Sequence, residues 1–397
     1  MKKVCFYALL MVLAAAGLAS AADWPMFRQN AEHTGTIAEP QGLIWSYPTL
    51  KEIVSSPAVS DGLVFFGDYD KRVYALDLKT GEKKWEFVTG DKVKSSPAVG
   101  GARVYVASLD KKLYALNLST GEKVWEFVTG KKIESSPVLA EIEFTAAAST
   151  ATAAKTEPGE AKPAEAKVKT MVVLIGSCDG KLYCLKAENG EKLWEFKAGD
   201  EIYSSPAVSA GIIYVASAGG RVYALNGSSG KVVWENRKLS GNFLESSPAV
   251  NSGMLFIGST GSRMYALNCQ TGEQIWEFKT EGGYVCSSPA VVDGHVYFGG
   301  SDSKIYCLNA SSGEKVWEFK ADKLVYSASP VVTGGVMYIG ATDNHLYALD
   351  AKTGAKLWQF TCGKPINGTP AIFEDALYFG SDDGFFYALS LKSGIKY

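Results

Sequence analysis

A basic side chain or a histidine recurs at one position in seven successive segments of this chain, and it is the first candidate for chemistry. These residues are Arg72, Lys112, Lys181, Arg221, Arg263, Lys304 and His345. Cations that repeat in this way could together receive an anionic ligand or an acidic protein surface. Aspartates such as Asp70, Asp110 and Asp179 stand two residues before most of them and would neutralise much of that field. A solvated surface is therefore the alternative interpretation.

A second recurring position carries a different side chain in each segment. It precedes a repeated mark of two small residues and a proline, as in Ser95-Ser96-Pro97. Its occupants are Lys94, Glu134, Tyr203, Glu245, Cys286 and Asn367, together with Val54 and Ser327. Variation on a constant framework is what a specific pocket would show, and unconstrained surface positions would show it too. For Ser327 an alignment shifted by one residue is the alternative, because the mark there reads Ser327-Ala328-Ser329-Pro330.

No catalytic or metal-binding motif is present in the sequence. The three histidines, His33, His295 and His345, are scattered, and their spacing predicts no metal site. Nucleophile elbows, phosphate-binding loops, dinucleotide fingerprints and Cys-x-x-Cys-His are all missing. A net charge of −2 gives no strongly basic face, which argues against nucleic acid as a partner. We therefore assign no catalytic, cofactor-binding or metal-binding residue.

Repetition of tryptophan defines the elements that must position these side chains. From Trp45 onward, successive tryptophans lie 40 to 42 residues apart, except for one step of 69 residues. The set is Trp45, Trp85, Trp125, Trp194, Trp234, Trp276, Trp317 and Trp358. A repeat of this length, with four short strands here called A to D, is typical of a β-propeller. We predict an all-β fold over residues 44–397, an eight-bladed propeller of four-stranded antiparallel blades with one structural tryptophan per blade.

The two ends of the chain are predicted to meet in the last blade. Trp45 precedes the first complete repeat, and the last repeat has no tryptophan after it. The segment Ile44-Trp45-Ser46-Tyr47 should therefore supply the outer strand D of that blade, which closes the ring and leaves no unpaired terminal blade. Because strands alternate in direction, the B–C hairpins and the D–A connections should share one face. The variable position would then line the mouth of the central channel on that face.

Three further segments are set apart by composition. Residues 1–22 resemble a secretory signal peptide, with Lys2 and Lys3 before an apolar stretch and Ala19-Ser20-Ala21 at the end. An uncleaved membrane anchor is the alternative. Residues 23–43 form an N-terminal segment, and residues 141–169 are predicted to be a disordered insertion in blade 3. We expect a periplasmic or secreted monomer with no membrane span after cleavage.

Six cysteines follow the predicted signal peptide. An even number in an exported protein favours disulfides. Cys184 and Cys307, however, occupy the place that alanine holds in the other repeats, as at Ala75 and Ala115. We therefore predict free, buried thiols.

The strand C–strand D segment carries a family resemblance. The segment from Ala75 to Trp85 resembles the tryptophan-docking motif of the PQQ-type propeller repeat, and it recurs at Ala115–Trp125, Ala266–Trp276 and Ala348–Trp358. The resemblance covers almost the whole chain and implies two branches. One is the quinoprotein alcohol dehydrogenases, which bind PQQ and calcium. The other is the BamB-like proteins, non-enzymatic propellers that assist outer-membrane protein assembly.

The residues favour the second branch. The quinoprotein branch commonly has an adjacent pair of cysteines over the cofactor, and no two cysteines are adjacent here. We therefore expect no cofactor and an exported, non-enzymatic scaffold that binds an envelope protein through its loops. The departure from BamB is that no cysteine is placed for lipidation. A PQQ-dependent or degenerate dehydrogenase and an extracellular ligand-binding module remain as alternatives.

Overall fold

Strands account for all the regular secondary structure in the part of the chain that the computed structural model describes, residues 42–145, 167–239 and 245–391. They form eight antiparallel sheets of four strands each, which confirms the predicted eight-bladed propeller. No helix of these residues is long and apolar enough to cross a membrane. The predicted signal peptide, residues 1–22, lies outside the described residues. So does the predicted N-terminal segment up to residue 41.

The first strand in the chain is β1 (Gly42–Pro48), and blades 1 to 4 follow it. Blade 1 contains β2 (Ala58–Ser60), β3 (Leu63–Gly67), β4 (Arg72–Asp77) and β5 (Lys83–Val88). Blade 2 contains β6 (Ala98–Gly100), β7 (Arg103–Ala107), β8 (Lys112–Asn117) and β9 (Lys123–Val128). Blade 3 contains β10 (Val138–Thr145), β11 (Lys167–Gly176), β12 (Lys181–Lys186) and β13 (Lys192–Lys197). Blade 4 contains β14 (Ala207–Ser209), β15 (Ile212–Ser217), β16 (Arg221–Asn226) and β17 (Val232–Asn236).

Blades 5 to 8 repeat the pattern. Blade 5 contains β18 (Ala249–Asn251), β19 (Met254–Ser259), β20 (Arg263–Asn268) and β21 (Gln274–Lys279). Blade 6 contains β22 (Ala290–Val292), β23 (His295–Gly299), β24 (Lys304–Asn309) and β25 (Lys315–Lys320). Blade 7 contains β26 (Val331–Thr333), β27 (Val336–Gly340), β28 (His345–Asp350) and β29 (Lys356–Thr361). Blade 8 contains β30 (Ala371–Phe373), β31 (Ala376–Gly380), β32 (Phe385–Ser390) and, as its outer strand, β1.

The pairing of β1 with β32 closes the ring, as predicted. The two strands pair antiparallel from Gly42 opposite Ser390 to Pro48 opposite Phe385, with an irregularity between Leu43 and Trp45. The closing strand thus covers the edge that β32 would otherwise expose, and Trp45 takes the place of the docking tryptophan of blade 8.

Seven of the eight docking tryptophans, from Trp45 to Trp317, contact the C–D turn of the next blade. These seven donate the indole N–H to a backbone carbonyl in that blade, at 2.8 to 3.2 Å. The ring also lies against the turn glycine: a Cβ on Gly121 would come within 2.6 Å of the Trp85 ring, and the φ of Gly121 is +73°. The turn glycine therefore meets two needs at once, a left-handed backbone and room for the indole.

The hydrophobic core lies between neighbouring blades rather than at one centre. Phe65, Val73 and Trp85 of blade 1, for example, pack with Val104 and Tyr114 of blade 2. Because each blade buries its face on the next, stability depends on every interface in the ring. All six cysteines of the described residues are free, and five are buried, as the alignment predicts.

The predicted disorder over residues 141–169 is wrong at both ends. β10 continues to Thr145, β11 begins at Lys167, and the two pair along their whole overlap. Ile142 is only 2 % exposed because it packs into the core shared with blade 4. The prediction placed these apolar positions inside the insertion and missed that they extend the hairpin. Residues 146–166 lie outside the described residues.

Candidate functional site

A closed ring of hydroxyl groups surrounds the central channel. The second small residue of each Ser-Ser-Pro mark accepts a hydrogen bond from the backbone N–H of its counterpart in the preceding blade, at 2.9 to 3.0 Å. The members are Ser56, Ser96, Ser136, Ser205, Ser247, Ser288, Ser329 and Thr369. These bonds satisfy buried amides that strand A cannot pair within its own blade. They join all eight blades around the axis.

The variable position lies beside this ring. All eight side chains line one cavity at the channel mouth, with a volume of about 160 Å³. They are Val54, Lys94, Glu134, Tyr203, Glu245, Cys286, Ser327 and Asn367. Strand A is innermost, so the residue that leads into it faces the axis.

On one side of the cavity, a glutamate at the channel mouth forms ion pairs with two lysines. Glu134 accepts hydrogen bonds from Lys94, at 2.5 Å, and from Lys132. Burial opposes ionisation of Glu134, but the two lysines outweigh it and hold the pKa of that carboxyl below its ordinary value. Glu134 is therefore ionised, and its negative charge is balanced by lysines of the same protein.

An extra residue distinguishes the entry to blade 7. Val325 and Pro330 are separated by one residue more than Val93 and Pro97, and Val325 occupies the same buried place against strand B as Val93 does. The suspected shift is therefore real, although Ser327 still lines the cavity and donates a hydrogen bond to Asn367 Oδ1 at 3.2 Å.

The other mouth residues show no activated nucleophile. The extra length at blade 7 brings Tyr326 Oη within 3.5 Å of the Glu245 carboxylate. Burial raises the pKa of the nearby Cys286 thiol to about 12, so the group is not a thiolate at neutral pH. Asn367 donates to Asp382 Oδ2 at 2.7 Å, and burial raises the pKa of Asp382 to about 6.

The predicted cationic ring is not assembled into one site. Each cation stands at the start of strand C, and six of the seven pair with the glutamate that follows the docking tryptophan on strand D. Arg72 reaches Glu86 at 2.5 Å and Lys112 reaches Glu126 at 2.8 Å. The structure thus favours the alternative interpretation of a solvated surface. The recurring Trp-Glu pair in the sequence could have indicated these ion pairs.

The aspartate of the B–C hairpin links neighbouring blades, a role that sequence reasoning missed. Asp110 Oδ2 accepts a hydrogen bond from Tyr114 at 2.6 Å and another from the backbone N–H of Gly90, in the D–A connection, at 2.7 Å. Asp179 and Asp383 repeat both contacts. A built Cβ on Gly90 would lie 2.9 Å from the Asp110 carboxylate, which explains the glycine.

Blade 1 uses a different carboxylate, and we expect it to make stability depend on pH. Asp68 is fully buried and accepts hydrogen bonds from Tyr74 and from the backbone N–H groups of Asp70 and Arg72. Burial outweighs these bonds and raises its pKa from 3.8 to about 6. The folded state therefore binds more protons than the unfolded state between these values. Stability should fall as pH rises through about 4 to 6, by up to about 3 kcal/mol from this group.

Urea unfolding of the wild type and Asp68→Asn at pH 4 and pH 7.5 checks this. The variant should lose less stability over that interval than the wild type, whatever its absolute stability. Asp61→Asn, at an exposed turn, is the matched control and should follow the wild type. Equal pH dependence in all three proteins would contradict the assignment to Asp68.

The residues at the channel mouth do not fit PQQ with calcium. A cavity of about 160 Å³ is smaller than the roughly 300–1,000 Å³ of sites that bury a drug-sized ligand. Calcium prefers a cluster of carboxylate and carbonyl oxygens. Here Glu134 is already held by two lysines, and Glu245 stands on blade 5, two blades away along the ring.

Comparison with known proteins connects this geometry to two groups. The family model described as outer membrane protein assembly factor BamB matches residues 15–135, 88–162, 151–282, 178–320 and 282–396. The structure of BamB from Moraxella catarrhalis superimposes with a TM-score of 0.69 at 16 % identity, over 88 % of this chain and 99 % of that one. A europium-containing methanol dehydrogenase superimposes with a TM-score of 0.72 at 16 % identity, over 93 % and 98 %. At these identities the two structures share the fold alone.

One curated protein is similar to this chain over the length of a single repeat. A 40-residue stretch is 45 % identical to the beta-alanine-activating enzyme of Danio rerio. The match covers 10 % of this chain and 4 % of that enzyme. It therefore reflects the propeller repeat and says nothing of the activity of this chain.

Proposed function

We propose that this chain, which belongs to the outer membrane protein assembly factor BamB family, is an exported propeller that binds a protein partner in the cell envelope without a cofactor and without catalysis. The absence of a quinone is part of this proposal, and the small, charge-paired channel mouth supports it. A periplasmic or secreted monomer remains our expectation.

One feature of the surface carries the proposal: an apolar arc on the face that holds the channel mouth. We define the arc as Leu50, Tyr284, Leu324, Tyr326 and Phe385, which are 37 to 72 % exposed. All five lie on D–A connections or at the B–C hairpins of four successive blades, 6, 7, 8 and 1. Exposed aromatic side chains grouped on one face are typical of protein interfaces.

The rest of this face is different in character. The D–A connections that enter blades 2, 3 and 4 carry charged residues, Lys92, Lys132 and Glu201, at the positions that correspond to Tyr284 and Leu324. An apolar arc bounded by charged connections gives the face one side suited to a partner's apolar surface and a polar rim around it.

A binding measurement with paired variants tests the proposal. The purified chain is immobilised, and a purified outer-membrane β-barrel assembly protein is passed over it in detergent. We expect saturable binding that weakens about 30-fold or more in Tyr284→Ser/Tyr326→Ser, because buried interface aromatics cost about 2 kcal/mol or more when truncated.

The control removes equally exposed apolar side chains elsewhere. Val233 and Val316 lie on the outer strands of blades 4 and 6 and are 52 % and 46 % exposed. Val233→Ser/Val316→Ser should bind within twofold of the wild type. Absence of binding by the wild type, or an equal loss in both double variants, would refute the proposed surface.

A further inference from the structure

The boundary between blades 6 and 7 differs from its counterparts at positions that face one another. Asp322, Asp343 and His345 each offer one ligand atom, and these atoms all lie within 4.8 Å of one another. Asp322 lies on the D–A connection that enters blade 7, while the other two belong to the B–C hairpin and strand β28 of that blade. From the contacts of these side chains we infer that the boundary binds a zinc ion.

Asp322 stands where the connections that enter blades 2, 3 and 8 have a glycine. Gly90, Gly130 and Gly363 donate their backbone N–H to the hairpin aspartate of the next blade, at 2.7 to 2.9 Å, and Asp322 does the same to Asp343 at 3.1 Å. A Cβ built on those glycines meets the aspartate at 2.9 to 3.3 Å. Asp322 therefore places a second carboxylate against Asp343, where those three boundaries have no side chain.

His345 stands where blades 1 to 6 carry lysine or arginine at the start of strand C. The strand D position that pairs with that cation is also changed, because Gln359 stands where those six blades have glutamate. The imidazole Nδ1 is buried and has no hydrogen-bond partner among the described residues. The outer ion pair of the other blades is thus absent here, and the imidazole faces Asp343 instead.

The geometry suits a shared cation. His345 Nδ1 lies 3.3 Å from Asp343 Oδ1 without forming a hydrogen bond. Two ligands at zinc bond lengths of about 2.0–2.1 Å and a tetrahedral angle stand about 3.3–3.4 Å apart. Among the residues that the structure describes, Asp343 Oδ1 accepts one hydrogen bond, from the backbone N–H of His345 at 3.0 Å, and so keeps a lone pair for a metal.

Electrostatics and orientation support the same assignment. Two adjacent carboxylates repel each other, and none of the ion pairs within the described ranges, the His345–Asp343 pair included, involves Asp322. Asp343 is only 3 % exposed at its side chain, and Tyr347 and the Asp322 N–H fix its second oxygen, at 2.7 and 3.1 Å. Such outer contacts orient a carboxylate ligand. Two carboxylates and one imidazole leave a fourth position of a tetrahedral zinc ion for water.

The expectation of no metal site rested on the spacing of the three histidines. That argument examined histidines alone, whereas this site needs only one. Its other ligands are carboxylates brought together across a blade boundary.

Isothermal titration of the chelator-stripped full chain with zinc chloride tests the inference. We expect one equivalent of zinc to bind the wild type. Asp322→Gly and His345→Lys restore the residues that other blades carry, so both should fold. Each should weaken zinc binding about 100-fold or more, since loss of an outer partner alone commonly costs 10- to 100-fold. Zinc should raise the melting temperature of the wild type and leave that of the two variants unchanged.

His295→Gln is the matched control, because it removes an imidazole from blade 6 outside the cluster. It should retain the full zinc stoichiometry and affinity. The inference is overturned if the wild type binds no zinc. It is equally overturned if Asp322→Gly and His345→Lys bind as tightly as the wild type.

Discussion

A chain that begins at residue 49 should melt about 10 °C or more below the full chain. The deletion removes β1, so β32 loses the partner of its outer edge, and the Trp45 indole no longer packs on Gly81 or donates to Leu78 O. Trp45 is partly buried against the hydrophobic core, so its loss should cost about 3 kcal/mol, the lower end of the range for core tryptophans. At roughly 2–4 °C per kcal/mol this gives a shift of about 6–12 °C, and exposure of the edge adds to it.

A chain that begins at residue 42 is the control for this experiment. It retains the whole closing strand and should melt with the full chain. Differential scanning calorimetry of the three proteins measures the effect. If the chain from residue 49 melts at the temperature of the control, ring closure by β1 does not stabilise the propeller and the account of the fold is wrong.

Gly121→Ala should be far more destabilising than Gly62→Ala, although the two glycines have the same backbone angle. Both have a φ of +73°. A Cβ at Gly62 would meet nothing within 4 Å, whereas one at Gly121 would lie 2.6 Å from the Trp85 ring. Both variants incur the left-handed strain of about 1–2 kcal/mol. Only Gly121→Ala must also displace the indole, which should add about 2–3 kcal/mol.

Urea unfolding of the two variants measures the difference directly. The indole of Trp85 donates to Leu118 O at 2.8 Å, so its displacement also breaks a buried hydrogen bond. Near-ultraviolet circular dichroism should change in Gly121→Ala and stay constant in Gly62→Ala. Equal losses of stability would mean that the tryptophan does not depend on the turn glycine for its place.

Most of the fold could be predicted because each blade repeats the same physical needs. The spacing of the tryptophans and the small-residue–proline marks was enough to count the blades, and the position of Trp45 was enough to predict the closure. The same alignment placed Lys94, Glu134 and the other variable residues at the channel mouth, because the residue before strand A must face the axis.

The remaining features depend on contacts between positions that are distant in the chain. The sequence analysis considered the cations at the start of strand C without their partners on strand D, Glu86 and its equivalents, although the Trp-Glu pair repeats. Asp322 and Asp343 are 21 residues apart, and only the register of two blades brings their carboxylates together. The extension of the hairpin to Thr145 and Lys167 was not predicted, because the composition of the segment between the two strands indicated disorder.

The most direct test of the central claim, a propeller that works without a cofactor, is a titration of the purified chain with PQQ and calcium, followed by tryptophan fluorescence. The eight docking tryptophans provide the fluorescence signal, which PQQ bound in the channel would quench. We predict that the tryptophan fluorescence decreases no more than light absorption by free PQQ explains. Saturable quenching at micromolar PQQ that requires calcium would contradict the account and indicate a quinoprotein.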